Sequence, residues 1–110
     1  LDNGALVSAC LAYAETVDRV PSMEELCAAT FVCRRKLWDA FDERYGTSPA
    51  RLLRTWGLAQ ARERLLKADP RATTVLDVAN GLGFHHAGRF ASRYRQMFGE
   101  PPSRTLHAAS

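Results

Sequence analysis

Apolar residues recur along this chain at steps of three and four, and no stretch alternates as a half-buried strand would. Leu6, Cys10, Tyr13 and Val17 mark a first amphipathic helix that ends before Val20-Pro21. Ser22 opens SMEEL, a Ser-x-x-Glu capping box just behind a proline, which predicts a second helix over 22–30. TFVC reads as a short connection. A third helix covers 33–45, with Leu37, Phe41 and Tyr45 as its inward stripe and Trp38 at the edge, and stops at Gly46. Ser48-Pro49 supplies a cap and a first-turn proline for a long helix through Leu52, Leu53, Trp56, Ala59, Leu65 and Leu66 to Ala68. Thr74-x-x-Asp77 begins a fifth helix, GLGF turns the chain, and a sixth runs from His86 to Phe98 with Phe90, Tyr94, Met97 and Phe98 facing in. Gly99 ends it, and Pro101-Pro102 opens a short seventh.

Two parts of this pattern repeat. At an offset of 52, Leu26 meets Val78, Cys27 meets Ala79 and Val32 meets Phe84. After one inserted residue, Leu37 meets Phe90, Phe41 meets Tyr94, Tyr45 meets Phe98, Gly46 meets Gly99, Pro49 meets Pro102 and Arg51 meets Arg104. A short helix, a tight turn and a second helix have been duplicated. The fold class expected is therefore all-α: seven helices forming two helix–turn–helix subdomains, 1–47 and 69–110, joined by a long central helix over 48–68.

Charge sharpens this picture. The 110 residues carry a net charge of +3, but the only cation in residues 1–32 is Arg19, against five acids. Residues 33–110 hold 14 cations and 7 acids. That asymmetry favours a polyanionic partner for the later part. Cys10, Cys27 and Cys33 are odd in number and lack Cys-x-x-Cys spacing, so they read as free thiols in a reducing compartment. No apolar run is long enough to span a membrane, and no secretory signal is visible. The chain opens on LDNGAL without a Met, which reads as a fragment of something longer.

The helix–turn–helix build places its second helix in the major groove of DNA. On the third helix Arg35, Asp39 and Asp42 point away from the core, flanked by Lys36 and Glu43, with Arg34 near the packed face. Arg35 and Asp39 also have the spacing of an i,i+4 ion pair. On the sixth helix Gly88, Arg89, Ser92, Arg95 and Gln96 face outward with no acid among them. Arg can grip guanine, Gln can pair with adenine, Ser suits most base edges, and Asp can accept from cytosine. Arg51 and Arg104 follow the proline caps, where helix amino termini attract phosphate oxygens.

At these residues the chain resembles the DNA-binding domain of the AraC/XylS family of bacterial transcription regulators, across nearly its whole length. SMEELCAAT, CRRKLWDAFDERYGTSPARLL, LAQARERLL and VLDVANGLGFHHAGRFASRYRQMFGEPP carry the resemblance. It implies promoter binding and transcription regulation, as an activator in the bacterial cytoplasm at the nucleoid, with two recognition helices in successive major grooves. By position it implies base reading by Arg35, Trp38 and Asp39 in the first unit and by His86, Arg89 and Ser92 in the second. Gly88 matches a reading position but offers no side chain. Phosphate contacts would come from Arg34, Lys36, Arg51, Arg95, Gln96 and Arg104. Partners implied are double-stranded promoter DNA and RNA polymerase, with effector sensing in an amino-terminal domain outside this chain. No cofactor and no metal is implied.

There are departures from the family pattern. Cys33 stands where a capping Ser is usual, Phe31 where a Gly is frequent in the turn, and Gly57 where an Arg is common. RTLHAA replaces the usual Tyr-Arg ending and, with GFHHAGRFAS, resembles the ethanolamine-operon regulators within the family. Other chemistry finds little footing. His85 and His86 point about 100° apart with no third ligand spaced to join them. No nucleophile–base pair and no Gly-rich phosphate loop is present, so an enzyme is not expected. The alternative from another class is a helical interaction module whose basic face meets an acidic protein.

Overall fold

The computed structural model describes residues 2–108, and among these the chain forms seven helices and no strand. They are α1 (Asn3–Val17), α2 (Met23–Thr30), α3 (Arg34–Tyr45), α4 (Pro49–Lys67), α5 (Val75–Gly81), α6 (Ala87–Phe98) and α7 (Pro102–Ala108). The all-α expectation holds. Two compact units divide inside α4, between Thr55 and Trp56, so this helix gives residues to each.

Local chemistry explains where the helices begin and end. Ser22 accepts from the Glu25 N–H while the Glu25 carboxylate accepts from the Ser22 N–H, closing the expected capping box on α2. Thr74 and Asp77 do the same for α5, 52 residues later, so the repeat extends to its caps. Gly46 and Gly99 close α3 and α6 at φ 65° and 79°, left-handed values that glycine adopts without steric penalty. Asp18 and Phe31 take the same kind of cap at φ 57° and 60° without being glycine.

In the first unit Leu6, Val7, Cys10 and Ala14 of α1 are buried with Leu26 of α2 and Leu37, Ala40 and Phe41 of α3. The inward stripe of α1 is therefore displaced from expectation, since Tyr13 and Val17 are only half-buried. Tyr45 corrects a second expectation: it is 54% exposed. Eight residues of helix turn about 800°, leaving Tyr45 about 80° off the line of Leu37, and Ala40 takes the inward place. The α1–α2 corner is tied by Glu25, which receives Arg19 at 2.8 and 2.6 Å and the Tyr13 hydroxyl at 3.2 Å. Donation by Arg19, then by the Ser22 N–H, holds the Glu25 carboxyl down at about 2.

The second unit packs Leu58, Ala61 and Leu65 of α4 with Val78, Ala79 and Leu82, Phe90 and Tyr94, and Leu106. Leu66 turns out, 46% exposed, because Leu58, Ala61 and Leu65 already set the inward line of α4. Met97 is also 44% exposed, in the last turn of α6. Tilted rings pack in a row along one side of this core: Phe84 to Phe90 at 5.0 Å, Phe90 to Tyr94 at 5.9 Å, Tyr94 to Phe98 at 4.7 Å. The Arg62 guanidinium lies 5.0 Å over the Phe98 ring. The buried Tyr94 hydroxyl donates to Thr105 at 2.8 Å, and Thr105 donates to the Glu100 carboxylate, so both hydroxyls are satisfied. That relay fixes α6 against α7.

Candidate nucleic-acid interface

The second helix of each helix–turn–helix, α3 and α6, presents its outer face to solvent. On α3 the buried Leu37, Ala40 and Phe41 define the inner side, and at 100° per residue Arg35, Asp39 and Asp42 stand opposite. All three are exposed, as is Trp38 at 50%. On α6 Phe90 and Tyr94 define the inner side. Arg89, Ser92 and Gln96 then share one outer stripe, with Gly88 and Arg95 on one flank and Arg93 on the other. A Cβ added at Gly88 would meet nothing within 4 Å, so the backbone lies open there.

The amino termini of both helices are unusually bare. Cys33 and His86 take the cap positions, and neither side chain accepts a hydrogen bond from the helix. Free N–H groups at a helix start favour anions. His86 and Cys33 are both exposed.

The two faces differ in what surrounds their cations. Arg34 is exposed, not near the packed face, and reaches Glu24 of α2 at 2.7 Å. The Glu24 carboxyl is held below the usual carboxylate range, first by its own helix-start N–H and then by the Arg34 charge. Arg35 stands 3.9 Å from Asp39, the i,i+4 pair that its spacing allows, at side-chain exposures of 89% and 66%. At that exposure such a pair contributes only a few tenths of a kcal/mol (about 0.3–0.5). Lys36 donates to the Asn3 amide oxygen at 3.1 Å, and the Asn3 amide nitrogen donates to Glu43. Arg34, Arg35 and Lys36 thus each have a polar neighbour. On α6, by contrast, no ion pair among the described residues involves Arg89, Arg93 or Arg95.

The structure therefore brings Arg35, Trp38 and Asp39 to one exposed helix and His86, Arg89, Ser92, Arg95 and Gln96 to another. Arg51 and Arg104 are exposed in the first turns of α4 and α7. Arg93 is an addition to the expected set. It lies one turn beyond Arg89 on the same side of α6, and the helical wheel alone would have found it.

Other chemistry can be placed too. Cys10 is buried, and burial, with Cys27 adding to it, pushes its thiol up to about 11. Among the described residues no group of three or more His, Cys, Asp or Glu could hold a metal ion. No helix there is long and apolar enough to cross a membrane.

Comparison with known proteins gives a consistent result. A family model described as a helix-turn-helix domain matches residues 26–108. XylDLEGF operon transcriptional activator 1 of Pseudomonas putida is 37% identical over 92 residues, 84% of this chain and 28% of that protein. The probable thc operon regulatory protein of Rhodococcus erythropolis is 43% identical over 72 residues, 66% of this chain and 22% of that protein. The chain thus spans under a third of the length of these relatives. Among solved structures, a probable AraC family transcriptional regulator from Rhodopseudomonas palustris CGA009 superimposes with a TM-score of 0.80 at 36% identity, covering 96% of this chain and 97% of that one. The DNA-binding domain of AdpA, solved in complex with a target DNA, gives 0.77 at 25% identity, covering 98% and 93%.

Proposed function

The chain belongs to the AraC/XylS family of helix-turn-helix DNA-binding domains, whose pattern its residues 26–108 match, and from that membership we propose that it binds promoter DNA with α3 and α6 in successive major grooves. The observation that carries this reading is the outer stripe of α6, where Arg89, Ser92 and Gln96 stand exposed with no acid on the helix. Arg35, Trp38 and Asp39 read bases in the first subdomain, residues 1–47, and His86, Arg89 and Ser92 read them in the second, residues 69–110. Arg34, Lys36, Arg51, Arg95, Gln96 and Arg104 hold phosphates. The connector, residues 48–68, has a length that suits this arrangement. Its 19-residue helix α4 extends about 28 Å, close to the roughly 34 Å repeat of B-DNA.

The relatives' own names describe operon activators and regulators, which supports transcription regulation here. On this reading the domain works in the bacterial cytoplasm at the nucleoid, contacts RNA polymerase, and takes its effector signal from a further amino-terminal domain. The finer resemblance to ethanolamine-operon regulators rests on RTLHAA and GFHHAGRFAS, and titrating a full-length protein with ethanolamine would test it. Selection from random duplexes at fixed salt tests the main reading. Two short enriched blocks about ten base pairs apart are expected; no enrichment overturns it.

A further inference from the structure

Counted over the described residues, the two compact units differ in charge. Residues 2–55 hold seven cations and eight acids, a net of −1, whereas residues 56–108 hold eight cations and four acids, a net of +4. Part of that difference falls on the helices proposed to meet DNA. α3 carries Asp39, Asp42 and Glu43 beside its four cations, and α6 carries three cations and no acid. In the first unit an acid lies close to each of the three cations at the start of α3. Glu24 is 2.7 Å from Arg34, Asp39 is 3.9 Å from Arg35, and Asn3 links Lys36 to Glu43. Charges at such separations act well inside the Debye length of about 8 Å at physiological salt.

Binding to DNA without regard to sequence comes almost wholly from neutralised phosphates and the counterions they release. A unit whose acids stand beside its cations gains little from that exchange. In the second unit Arg71 is paired with Asp69, but among the described residues the exposed Arg89, Arg95 and Arg104 have no such acid beside them and gain fully. Resting on the DNA-binding reading above, we infer that the protein has two modes on DNA. On arbitrary sequence it is held by the second unit alone, through α6 and Arg104. The first unit docks only where base contacts by α3 add to the small electrostatic gain.

Salt dependence separates the units. Arg95→Ala, Arg104→Ala, Lys36→Ala and Arg34→Ala would be compared on a random-sequence duplex and on the best duplex recovered by selection. All four side chains are exposed, and a thermal melt checks that each variant folds. On the random duplex, Arg95→Ala and Arg104→Ala should each flatten the log–log slope by about 0.9, while Lys36→Ala and Arg34→Ala, whose cations already have acids beside them, leave it unchanged. On the selected duplex all four should flatten it. The two-mode inference fails if Lys36→Ala flattens the random-duplex slope as much as Arg95→Ala does, or if Arg95→Ala and Arg104→Ala leave that slope unchanged. A wild type that binds neither duplex overturns the DNA reading beneath it as well.

Discussion

Ser22 and Cys33 open α2 and α3 in the same backbone conformation, φ −77° ψ 163° and φ −78° ψ 163°, yet only the serine caps its helix. The Ser22 oxygen accepts the Glu25 N–H at 3.1 Å, whereas no Cys33 cap bond forms. Cys33→Ser should therefore stabilise the protein by about 0.5–1 kcal/mol. A urea melt reads this directly, and an unchanged midpoint would refute it.

A second substitution concerns the turn just before. Phe31 and Gly83 hold equivalent places in the two repeats, at φ 60° and 90°. Phe31 also leaves 93% of itself in solvent, so no packing offsets its strain. Phe31→Gly should raise stability by about 0.5–1 kcal/mol, the left-handed penalty less the extra entropy of an unfolded glycine. Destabilisation would mean that the ring is held by contacts the free protein hides.

Which of these features the sequence makes legible depends on their reach. Caps are legible because Ser22 and Glu25, Thr74 and Asp77, Gly46 and Gly99 act within one turn of chain. Tyr45 departs from its expected place because a fixed four-residue step drifts off a 3.6-residue helix. The bridge from Asn3 to Lys36 and Glu43 spans 33 and 40 residues, and no local pattern announces it. Of the candidate site, the outer faces follow from periodicity, but the pairing of Arg34 with Glu24 does not. That contact is made across the turn between two helices.

Acid should weaken the first unit through Glu25. Its carboxyl titrates at about 2 in the folded protein, below its ordinary 4.5. A lowered folded value contributes stability that is present above pH 4.5 and lost as pH falls toward 2. Glu25→Gln should lower stability at neutral pH and flatten its decline across that window. Urea midpoints at roughly pH 7, 4 and 3 would reveal it, and parallel curves for variant and wild type would contradict it.

In the second unit, Tyr94→Phe removes the 2.8 Å bond to Thr105 while keeping the ring contacts with Phe90 and Phe98. A loss of about 1 kcal/mol is expected, near the mean for a single hydrogen bond because Thr105 keeps Glu100 as a partner. Thermal unfolding checks it; a loss several times larger would point to repacking of the aromatic row.

For DNA recognition the decisive residue is Arg89. Arg89→Ala should cost about 1–3 kcal/mol on a selected duplex and relax preference at one base pair, because a bidentate contact to guanine discriminates by that much. Equal loss on every sequence would reassign Arg89 to a phosphate.

The division of the chain inside α4 bears on how the protein can be dissected. Leu53 on one side and Leu58, Ala61 and Leu65 on the other are all buried, so no loop separates the halves. A fragment ending at Thr55 would keep only seven residues of that helix, too few to stay helical unaided. The complementary fragment would begin in mid-helix, without Ser48 or Pro49 to start it. Each repeat looks like a portable module, yet neither compact unit can be excised without cutting through a shared helix.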